Sequence, residues 1–338
     1  MRLAKLISGA TELVSDVTDA AFDHISDHFH LGSTEPNVIT ASGNFLFVLG
    51  RGGDDIITAT AEPGGLWGNT ILAGAGNDSV TIYGDRNVAF GGTGNDDFYV
   101  VGTDSGPGRN NVVYGDEGDD TINASSIGTI IHGGIGNDVL SLGGTGNRDN
   151  FGFGGDGDDT LYGTGLATTI DGGSGNDQLI GTTFSLTPEV DAGITMTGGA
   201  GLDSFTAWSS TYLTAEGDLD GQISQGDVIT GVISAITDYE AGERVTLDVF
   251  PQGTRALHTG PVLLGEPPPA QSTPALILNQ GEYALIRGEL SSPGHFAVSE
   301  SGGDLLLVAA ALDTGGQPAA ASSAVAFLNA TTEDILIA

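Results

Sequence analysis

The sequence predicts an all-β fold: a right-handed parallel β-roll solenoid of about eight 18-residue coils, with a short N-terminal helical segment and a C-terminal β-rich capping domain. Three observations predict the roll. A glycine and aspartate motif recurs eight times, its copies follow a common period, and short runs of alternating apolar residues lie between the copies. Such repeats are typical of solenoids, because each coil buries its apolar face only against its neighbours.

The repeated motif places glycine, aspartate and an apolar residue in fixed columns, and eight aligned copies are too many to arise by chance. An aspartate fills the sixth column of every copy. The copies are "GRGGDDII" from Gly50, "AGAGNDSV" from Ala73, "GGTGNDDF" from Gly91, "GDEGDDTI" from Gly115, "GGIGNDVL" from Gly133, "GGDGDDTL" from Gly154, "GGSGNDQL" from Gly172 and "GGAGLDSF" from Gly198.

The spacing of the sixth-column aspartates gives the length of one coil. Asp78 and Asp96, Asp120 and Asp138, and Asp159 and Asp177 share the same short interval, whereas every alternate interval is longer and contains an insertion. A quieter series of turns and apolar runs, such as "NVAFGG" and "NVVYGD", lies between the acidic motifs. One coil therefore contains an acidic turn, a short strand, a plain turn and a second strand. Because the acidic turns keep their length, we expect the insertions in the plain turns.

This repeat resembles the RTX (repeats-in-toxin) family, whose nonapeptide Gly-Gly-x-Gly-x-Asp-x-apolar-x forms a calcium-binding parallel β-roll. The resemblance extends from Gly50 to Phe205, about half of the chain. It implies secretion by a type I system and calcium ions held between adjacent turns. RTX arrays usually keep the aspartate in successive nonapeptides, whereas here only every second one keeps it. We therefore expect one calcium edge and one metal-poor edge, with Asp149 as the main exception on the plain edge.

The acidic turns offer the oxygen ligands that calcium prefers, which are six to eight carboxylate and backbone carbonyl oxygens. The resemblance implies ions between neighbouring turns, so eight turns define up to seven calcium ions. The predicted ligand residues of the roll are the aspartates Asp55, Asp78, Asp96, Asp120, Asp138, Asp159, Asp177 and Asp203 and the glycines Gly76, Gly94, Gly118, Gly136, Gly157 and Gly175.

The charge of the chain predicts a calcium-dependent fold. The formal net charge is −35, from 9 basic and 44 acidic residues, which disfavours binding to nucleic acid and to anionic membranes. Aspartates of neighbouring coils would face each other at ~5 Å, and each pair would cost on the order of 3 kcal/mol at an effective dielectric constant of about 20. We expect the roll to be loose or unfolded without calcium and to fold when calcium binds. The chain has no cysteine, so thiolate metal sites are excluded.

A second acidic loop, "EGDLDGQISQGD", follows the roll and resembles an EF-hand calcium loop without clear flanking helices. Its predicted ligands are Glu216, Asp218, Asp220 and Asp227, which would hold one further calcium ion. The family pattern begins with aspartate and ends with glutamate, and both positions differ here. A solvated acidic turn is the alternative interpretation.

Residues 1–35 are predicted to form an amphipathic helical cap or assembly segment, because apolar residues recur with a 3.6-residue period between residues 3 and 29. His24, His28 and His30 could bind a transition metal. The polar face of this helix is the simpler interpretation of their spacing.

Residues 36–210 are predicted to form the roll, and residues 211–338 a C-terminal β-rich domain. The run "ITDYEAGERVTLDVF" resembles the unit that closes RTX rolls, and the terminal "TTEDILIA" resembles an uncleaved type I secretion signal. No window approaches ~18 uninterrupted apolar residues, so no membrane insertion is expected.

These features predict a secreted or cell-surface calcium-binding structural protein that is not an enzyme. We expect it to self-assemble, as a homo-oligomer or polymer, into an extracellular filament, a surface layer or a biofilm matrix. The sequence has neither an H-E-x-x-H zinc motif nor a G-x-S-x-G nucleophile motif. A monomeric calcium-dependent adhesin and a carbohydrate-active enzyme on a solenoid scaffold are the alternatives.

Overall fold

The structure, a computed structural model, is an all-β parallel solenoid, which confirms the predicted fold class. In the residues that it describes, thirty strands and no helix are present. No helix in this part of the chain has the length and apolar character needed to cross a membrane. The described residues are 28–61, 68–101, 108–143, 148–184, 191–210, 213–217, 222–247, 256–257, 263–265, 275–278, 282–310 and 319–330.

Sheet one runs along one face of the solenoid as a ladder of parallel strands, each pairing with its equivalent in the next coil. Phe47 pairs with Thr70 and Thr70 pairs with Val88, so the register reproduces the spacing of the motif. The strands of this ladder are β1 (Phe29–Leu31), β3 (Phe47–Leu49), β5 (Thr70–Ala75), β7 (Val88–Thr93), β10 (Val112–Glu117), β12 (Ile130–Ile135), β14 (Phe151–Asp156), β16 (Thr168–Ser174), β18 (Asp191–Ala200) and β22 (Val232–Ile236).

Sheet two forms the opposite face in the same way, and each coil contributes one strand to each sheet. The strands of sheet two are β2 (Val38–Ser42), β4 (Ile56–Thr60), β6 (Ser79–Tyr83), β8 (Asp97–Val101), β11 (Thr121–Ile127), β13 (Val139–Leu142), β15 (Thr160–Thr164), β17 (Gln178–Phe184), β19 (Ser204–Ser210) and β23 (Arg244–Leu247). A short additional strand, β9 (Gly108–Arg109), pairs with the end of β11.

The two edges of the roll differ in length from coil to coil. The acidic turn always leads from a strand of sheet one to a strand of sheet two. The plain turn leads from sheet two back to sheet one, and it is short after β6 but long after β4 and β8. The insertions therefore lie in the plain turns, which confirms the expectation from the spacing.

The core of the roll consists of the inward-facing residues of both sheets. Phe98 is buried whereas its neighbour Asp97 is exposed, as the alternation of the motif predicts. The apolar residue that closes each motif forms one continuous buried row, since strands pair in register. This row contains Ile57, Val80, Phe98, Ile122, Leu140, Leu161, Leu179 and Phe205.

Aromatic side chains reinforce the register on the outer face of sheet one. The rings of Phe90, Tyr114, His132 and Phe153 are stacked in consecutive coils, with centroid distances of 5.0, 4.7 and 4.8 Å. The interplanar angles are 5°, 3° and 12°, so the rings are nearly parallel. The spacing matches the separation of neighbouring strands, about 4.8 Å.

The C-terminal strands cover the end of the roll. The strands of this region are β20 (Thr214–Glu216), β21 (Val228–Thr230), β24 (Ala256–Leu257), β25 (Leu263–Gly265), β26 (Ala275–Leu278), β27 (Glu282–Ser292), β28 (His295–Val298), β29 (Asp304–Ala310) and β30 (Ala319–Phe327). β30 pairs in parallel with β22, and β29 pairs antiparallel with β30. Leu305 and Leu307 pack in the core of the roll, whereas Leu306 and Val308 pack in a second apolar cluster.

The N-terminal boundary requires one correction. The helical pattern extends from residue 3 to Phe29, but Phe29 begins β1, which pairs with β3. Inclusion in the sheet ladder determines the conformation of these residues more strongly than their apolar period does. The rest of the predicted helix, up to residue 27, lies outside the described residues.

Candidate metal centre

The eight acidic turns stack in one row along one edge of the roll. The sixth-column aspartate of each turn immediately precedes a strand of sheet two and is only 1–2% exposed. Carboxylates are rarely buried to this extent unless a partner compensates for the lost hydration. The buried row contains Asp55, Asp78, Asp96, Asp120, Asp138, Asp159, Asp177 and Asp203.

One oxygen of each aspartate links two coils. Asp78 donates its backbone N–H to Oδ1 of Asp96 at 2.8 Å, and Asp96 donates its own to Oδ1 of Asp120 at 2.7 Å. The same bond recurs along the row from Asp55 to Asp203. Each Oδ1 therefore reaches back to the preceding turn and fixes the distance between coils.

The other oxygen has no partner. Oδ2 of all eight aspartates is buried without a hydrogen bond. A buried charged oxygen in this state is costly, because it has lost its hydration and gained nothing in return. A row of eight such atoms indicates that the edge is built for a ligand.

Backbone oxygens approach the same space. A Cβ placed on Gly91 would collide with Oδ2 of Asp96 and with the carbonyl oxygen of Gly115 in the next turn. The equivalent glycines Gly133 and Gly154 have the same relation to their own aspartate and to the next turn. Carboxylate and carbonyl oxygens thus converge beside six of the seven first-column glycines, where no side chain occupies the space, and Gly198 is the exception.

This donor set fits calcium, which takes carboxylate and carbonyl oxygens together. Within the described part of the chain, no three histidine, aspartate or glutamate side chains form a group that could hold a metal ion. Calcium at this edge would therefore use few carboxylates for each ion and rely on the carbonyl oxygens. When bound, calcium would neutralise the buried carboxylates and give the unpartnered oxygens their missing ligand.

Burial also changes the acidity of the row. Burial is the main cause that raises the pKa of Asp96, Asp120 and Asp159 to about 7, and of Asp138 and Asp177 to about 6. The backbone hydrogen bond to Oδ1 partly lowers each pKa, and neighbouring carboxylates raise it further. The sequence led us to expect repulsion between carboxylates of neighbouring coils as the main source of instability. Loss of hydration raises the pKa of these aspartates more than that repulsion does.

The predicted glycine ligands fill the fourth column of the motif in the same turns. Gly94 has a φ of 119°, a region that side chains rarely adopt, and a Cβ there would collide with the carbonyl oxygen of Gly76. Gly118, Gly136, Gly157 and Gly175 repeat this relation with the glycine one turn earlier. Close stacking of the turns requires glycine here, and carbonyl ligation by this column stays a prediction.

The fifth column forms a hydrogen-bonded series that sequence reasoning missed. Asn77 donates its backbone N–H to Oδ1 of Asp54 at 2.8 Å, and Asn95 donates to Oδ1 of Asn77 at 2.9 Å. In the fifth column, the side-chain oxygen accepts the backbone N–H of the next turn, so this series runs forward along the roll. In the sixth column, Oδ1 accepts the backbone N–H of the preceding turn, so that series runs back. The series ends where Leu202 donates to Oδ1 of Asn176 at 3.0 Å, because leucine offers no oxygen to the next turn. The recurrence of Asn or Asp before seven of the eight aspartates was the available signal.

Two further turns extend the acidic edge beyond the eight motifs. Asn37 donates its backbone N–H to Oδ1 of Asp55 at 2.7 Å, and Val38 pairs with Ile56. At the other end, Glu243 is buried and precedes Arg244, which pairs with Ser204. A glycine one period before the first motif could have revealed the first turn. The second lacks the glycine pattern, so only the strand register reveals it.

Asparagine, rather than aspartate, forms the buried row of the plain edge. Oδ1 of Asn87 accepts the backbone N–H of Asn69 at 2.9 Å, and Oδ1 of Asn111 accepts that of Asn87 at 2.9 Å. Oδ1 of Asn150 accepts from Thr129 at 2.8 Å. These neutral side chains satisfy the backbone without adding charge.

Asp149, the possible exception on the plain edge, is exposed. Its carboxylate lies 3.7 Å from Nε of Arg148, which is exposed as well. Neither a buried carboxylate nor an unpartnered oxygen marks this position, in contrast to the acidic edge. Metal binding by Asp149 remains a prediction without structural support in its surroundings.

The second acidic loop lies only partly in the described residues, since 218–221, including Asp218 and Asp220, are outside them. Glu216 ends β20 and is exposed, and β20 pairs with β21 next to Asp227. Asp227 is buried, and its Oδ2 accepts the backbone N–H of Ser224 at 2.8 Å. Calcium binding by this loop stays a prediction.

Three histidines near the N-terminus were predicted as possible metal ligands. His24 lies outside the described residues, His28 precedes β1, and His30 lies in β1. Metal binding by this group also stays a prediction.

Comparison with known proteins agrees with the geometry of this edge. A family profile described as the RTX calcium-binding nonapeptide repeat matches four copies, at residues 108–126 and 144–179. No curated protein matches the chain closely enough to count as a relative. The matched residues contain Asp120, Asp159 and Asp177 of the buried row.

Proposed function

We propose that this chain, an RTX β-roll protein, is a secreted calcium-binding structural protein whose roll folds on calcium and which then self-assembles outside the cell. The observation that carries the proposal is the row of eight buried aspartates whose Oδ2 atoms have no partner. The repeats are in general a non-catalytic module, and we propose that the chain is not an enzyme. The number of calcium ions, up to seven in the roll, belongs to the proposal as well.

Folding on calcium follows from the cost of the buried row. Net protein stability is only about 5–15 kcal/mol, and each unsatisfied buried polar group costs about 1–3 kcal/mol, with more for a charge. Eight such carboxylates are comparable to the whole stability of the domain unless protons or cations compensate for them. A ligand that binds only the folded state stabilises it by mass action.

Circular dichroism of the full chain tests this step. We expect little ordered β-signal in chelator at pH 8, a strong β-signal in millimolar calcium, and a much weaker response to magnesium. Magnesium is the control because it requires a stricter geometry and gives up its water reluctantly. An identical β-signal in chelator and in calcium would contradict calcium-dependent folding.

Self-assembly is supported by the N-terminal end of the roll. β1 and β2 are the first described strands of their sheets, and no described strand pairs with them on the side away from β3 and β4. Apolar side chains are exposed at this end: Val38 is 77% exposed, Phe45 60% and Leu31 57%. An open edge strand with apolar side chains pairs readily with another chain. We propose that a second copy of the protein adds here.

Electron microscopy distinguishes assembly from a dispersed protein. We expect regular polymers in calcium, loss of polymers in Val38→Lys, and normal polymers in Thr121→Lys, which places the same charge on a central strand. Circular dichroism of both variants establishes that the roll still folds. Dispersed particles in every condition would contradict the filament or surface-layer proposal.

Export by a type I system would suit a chain that stays unfolded at low calcium, passes a narrow channel and meets calcium outside. The terminal residues 331–338 carry the acidic and apolar pattern of such a signal. We expect deletion of these residues to retain the protein in the cell without altering calcium-dependent folding in vitro. Normal export of the deletion variant would contradict this assignment.

A calcium-dependent adhesin is the second candidate, favoured by the outer face of sheet two. Tyr99 is 51% exposed and Tyr162 39%, and both lie in one column with Asn123 and Ser141 between them. Exposed aromatic rings and hydroxyl groups are suited to carbohydrate. Glycan-array binding that requires calcium and is lost in Tyr99→Ala would favour this candidate over self-assembly.

A further inference from the structure

The chain makes one more turn of the acidic edge after the repeats end. Met196 pairs with Ile236 before this turn, and Ser204 pairs with Arg244 after it. The turn "DYEAGE", residues 238–243, therefore has the same length as the turn at residues 198–203 and stacks on it. Asp238 replaces the first-column glycine, and Glu243 replaces the sixth-column aspartate.

Asp238 fastens the two turns together. Its Oδ1 accepts the backbone N–H of Gly198 at 2.9 Å, and its Oδ2 accepts that of Gly199 at 2.8 Å. Both carboxylate oxygens of Asp238 therefore hold the backbone of the preceding turn in place. No repeat copy has a first-column side chain that can do this, because that column holds glycine or alanine in the eight motifs.

Glu243 is 1% exposed and lies beside Asp203, and burial, with a smaller contribution from the proximity of the two carboxyl groups, raises the pKa of Glu243. Oε2 of Glu243 also accepts the backbone N–H of Glu240 at 2.7 Å. Tyr239 donates its hydroxyl group to the carbonyl oxygen of Glu243 at 2.8 Å. The turn is thus held in a fixed conformation that keeps a second buried carboxyl group at the end of the row.

One carboxylate oxygen of Asp203 has no hydrogen-bond partner next to this turn. Its side chain is 2% exposed, and its Oδ2 has no hydrogen-bond partner. A Cβ on Gly198 would collide with this atom, so Oδ2 lies beside the backbone that Asp238 fixes. Unlike the equivalent atom of an isolated end turn, it has a neighbouring turn that carries another buried carboxyl group.

We propose that Asp203 and Glu243, with backbone carbonyl oxygens of the two turns, form a terminal calcium site that Asp238 positions. This inference rests on the calcium-binding function of the roll and adds a site outside the RTX repeats. Hard divalent cations suit the site because every available donor is oxygen.

Occupancy of this site would fasten the C-terminal strands to the roll. The turn connects β22, which pairs with β30, to β23, which pairs with β19. An ion held between Asp203 and Glu243 would therefore join the last repeat to the strands that continue into the C-terminal region. Calcium would then act on the junction as well as on the roll.

The test compares Glu243→Gln with Glu240→Gln in the full chain. Glu240 lies in the same turn but is exposed, so its variant removes the same charge without altering the buried pair. In saturating calcium we expect Glu243→Gln to bind one ion fewer by isothermal titration calorimetry. We also expect hydrogen exchange of residues 232–247 to become ~10-fold faster, while residues 88–101 stay protected. Glu240→Gln should match the unchanged protein in both measurements.

An unchanged number of ions and unchanged exchange in Glu243→Gln would overturn the terminal site alone. Absence of calcium binding by the unchanged protein would overturn the proposed function together with this inference. If Glu243→Gln fails to fold, Asp238→Asn provides the second variant, because its amide keeps one acceptor oxygen and replaces the other with an NH2 group, which cannot accept the second glycine N–H. The same loss of one ion and of protection at residues 232–247 is expected, and normal values for both would overturn the proposal.

Discussion

Asp78 donates its backbone N–H to Oδ1 of Asp96, one uninterrupted 18-residue coil further along the roll, at a distance of 2.8 Å. Oδ2 of the same Asp96 is buried and has no partner. One oxygen thus joins two coils, and the other is available to a cation. A substitution that preserves the first atom and neutralises the second separates the two roles.

Asp96→Asn is expected to have opposite effects with and without calcium. The amide oxygen can still accept the N–H of Asp78, but the negative charge is lost. In chelator, the variant should retain more β-structure than the unchanged protein, because one buried charge is absent. In saturating calcium it should be less stable by about 1–3 kcal/mol, as measured by urea unfolding.

Asp97→Asn is the matched control, because Asp97 is the next residue, is exposed and faces outward. It should leave the amount of β-structure in chelator unchanged and the free energy of unfolding in calcium within about 0.5 kcal/mol of the unchanged protein. Equal destabilisation by the two substitutions would contradict a special role for Asp96.

Acid should stabilise the calcium-free roll. Burial raises the pKa of Asp96, Asp120 and Asp159 to about 7 in the folded protein, whereas unfolded aspartate titrates near 3.9. The folded state therefore binds more protons between these values, so stability is present below about pH 4 and is lost as the pH rises through about 7. Circular dichroism in chelator should show more β-structure at pH 5 than at pH 8.

Calcium and protons should compete for the same oxygens. The apparent calcium affinity is therefore expected to fall as the pH decreases from 8 to 5, which calorimetry at several pH values would measure. An affinity that stays constant over this range would contradict binding by the buried row.

Gly94→Ala should destabilise the calcium-bound roll by about 1–3 kcal/mol, because the residue has a positive φ and a Cβ would collide with the carbonyl oxygen of Gly76. Gly143→Ala is the control, since its Cβ would meet only ordinary contacts, the nearest at 3.6 Å from Oγ1 of Thr164. Thermal unfolding in calcium distinguishes the two. Comparable unfolding temperatures for both variants would show that the turns have room for a side chain.

Asn87→Ala tests the plain edge separately from the acidic edge. The substitution removes the acceptor of the Asn69 N–H and one donor to Asn111, so a loss of about 1–3 kcal/mol is expected. The number of bound calcium ions should stay unchanged. Asn123→Ala, on the outer face of sheet two, should have a much smaller effect. A reduced number of ions in Asn87→Ala would refute the assignment of calcium to one edge only.

The repeat made the fold predictable from sequence. The spacing between Asp78 and Asp96 set the length of one coil, and the apolar residues around Phe98 set which side chains face inward. The start of the roll was harder to predict, because the turn ending at Asn37 has one clear glycine and no aspartate. The short strand at Phe29 also follows a helical apolar period, and only pairing with Phe47 determines its conformation.

The site was predictable in its residues and less so in its energetics. The identity of the aspartates followed from the sixth column, but their burial and the different roles of Oδ1 and Oδ2 depend on how the turns stack. The run "ITDYEAGERVTLDVF" was predicted to close the roll, but the turn at Glu243 has no repeat motif that would assign it to the acidic edge. Only the pairing of β22 and β23 with the last repeat strands places it on the same edge.

The two opposing series of hydrogen bonds in the acidic turns have a consequence for how such a protein can change in size. Every internal turn presents the same acceptors in both directions, while Leu202 ends the forward series. A duplicated coil placed before Leu202 would find matching partners on each side and lengthen the body by about 4.8 Å. Copy number can therefore change in whole units within the interior, while the two ends, which carry the distinctive residues, remain as they are.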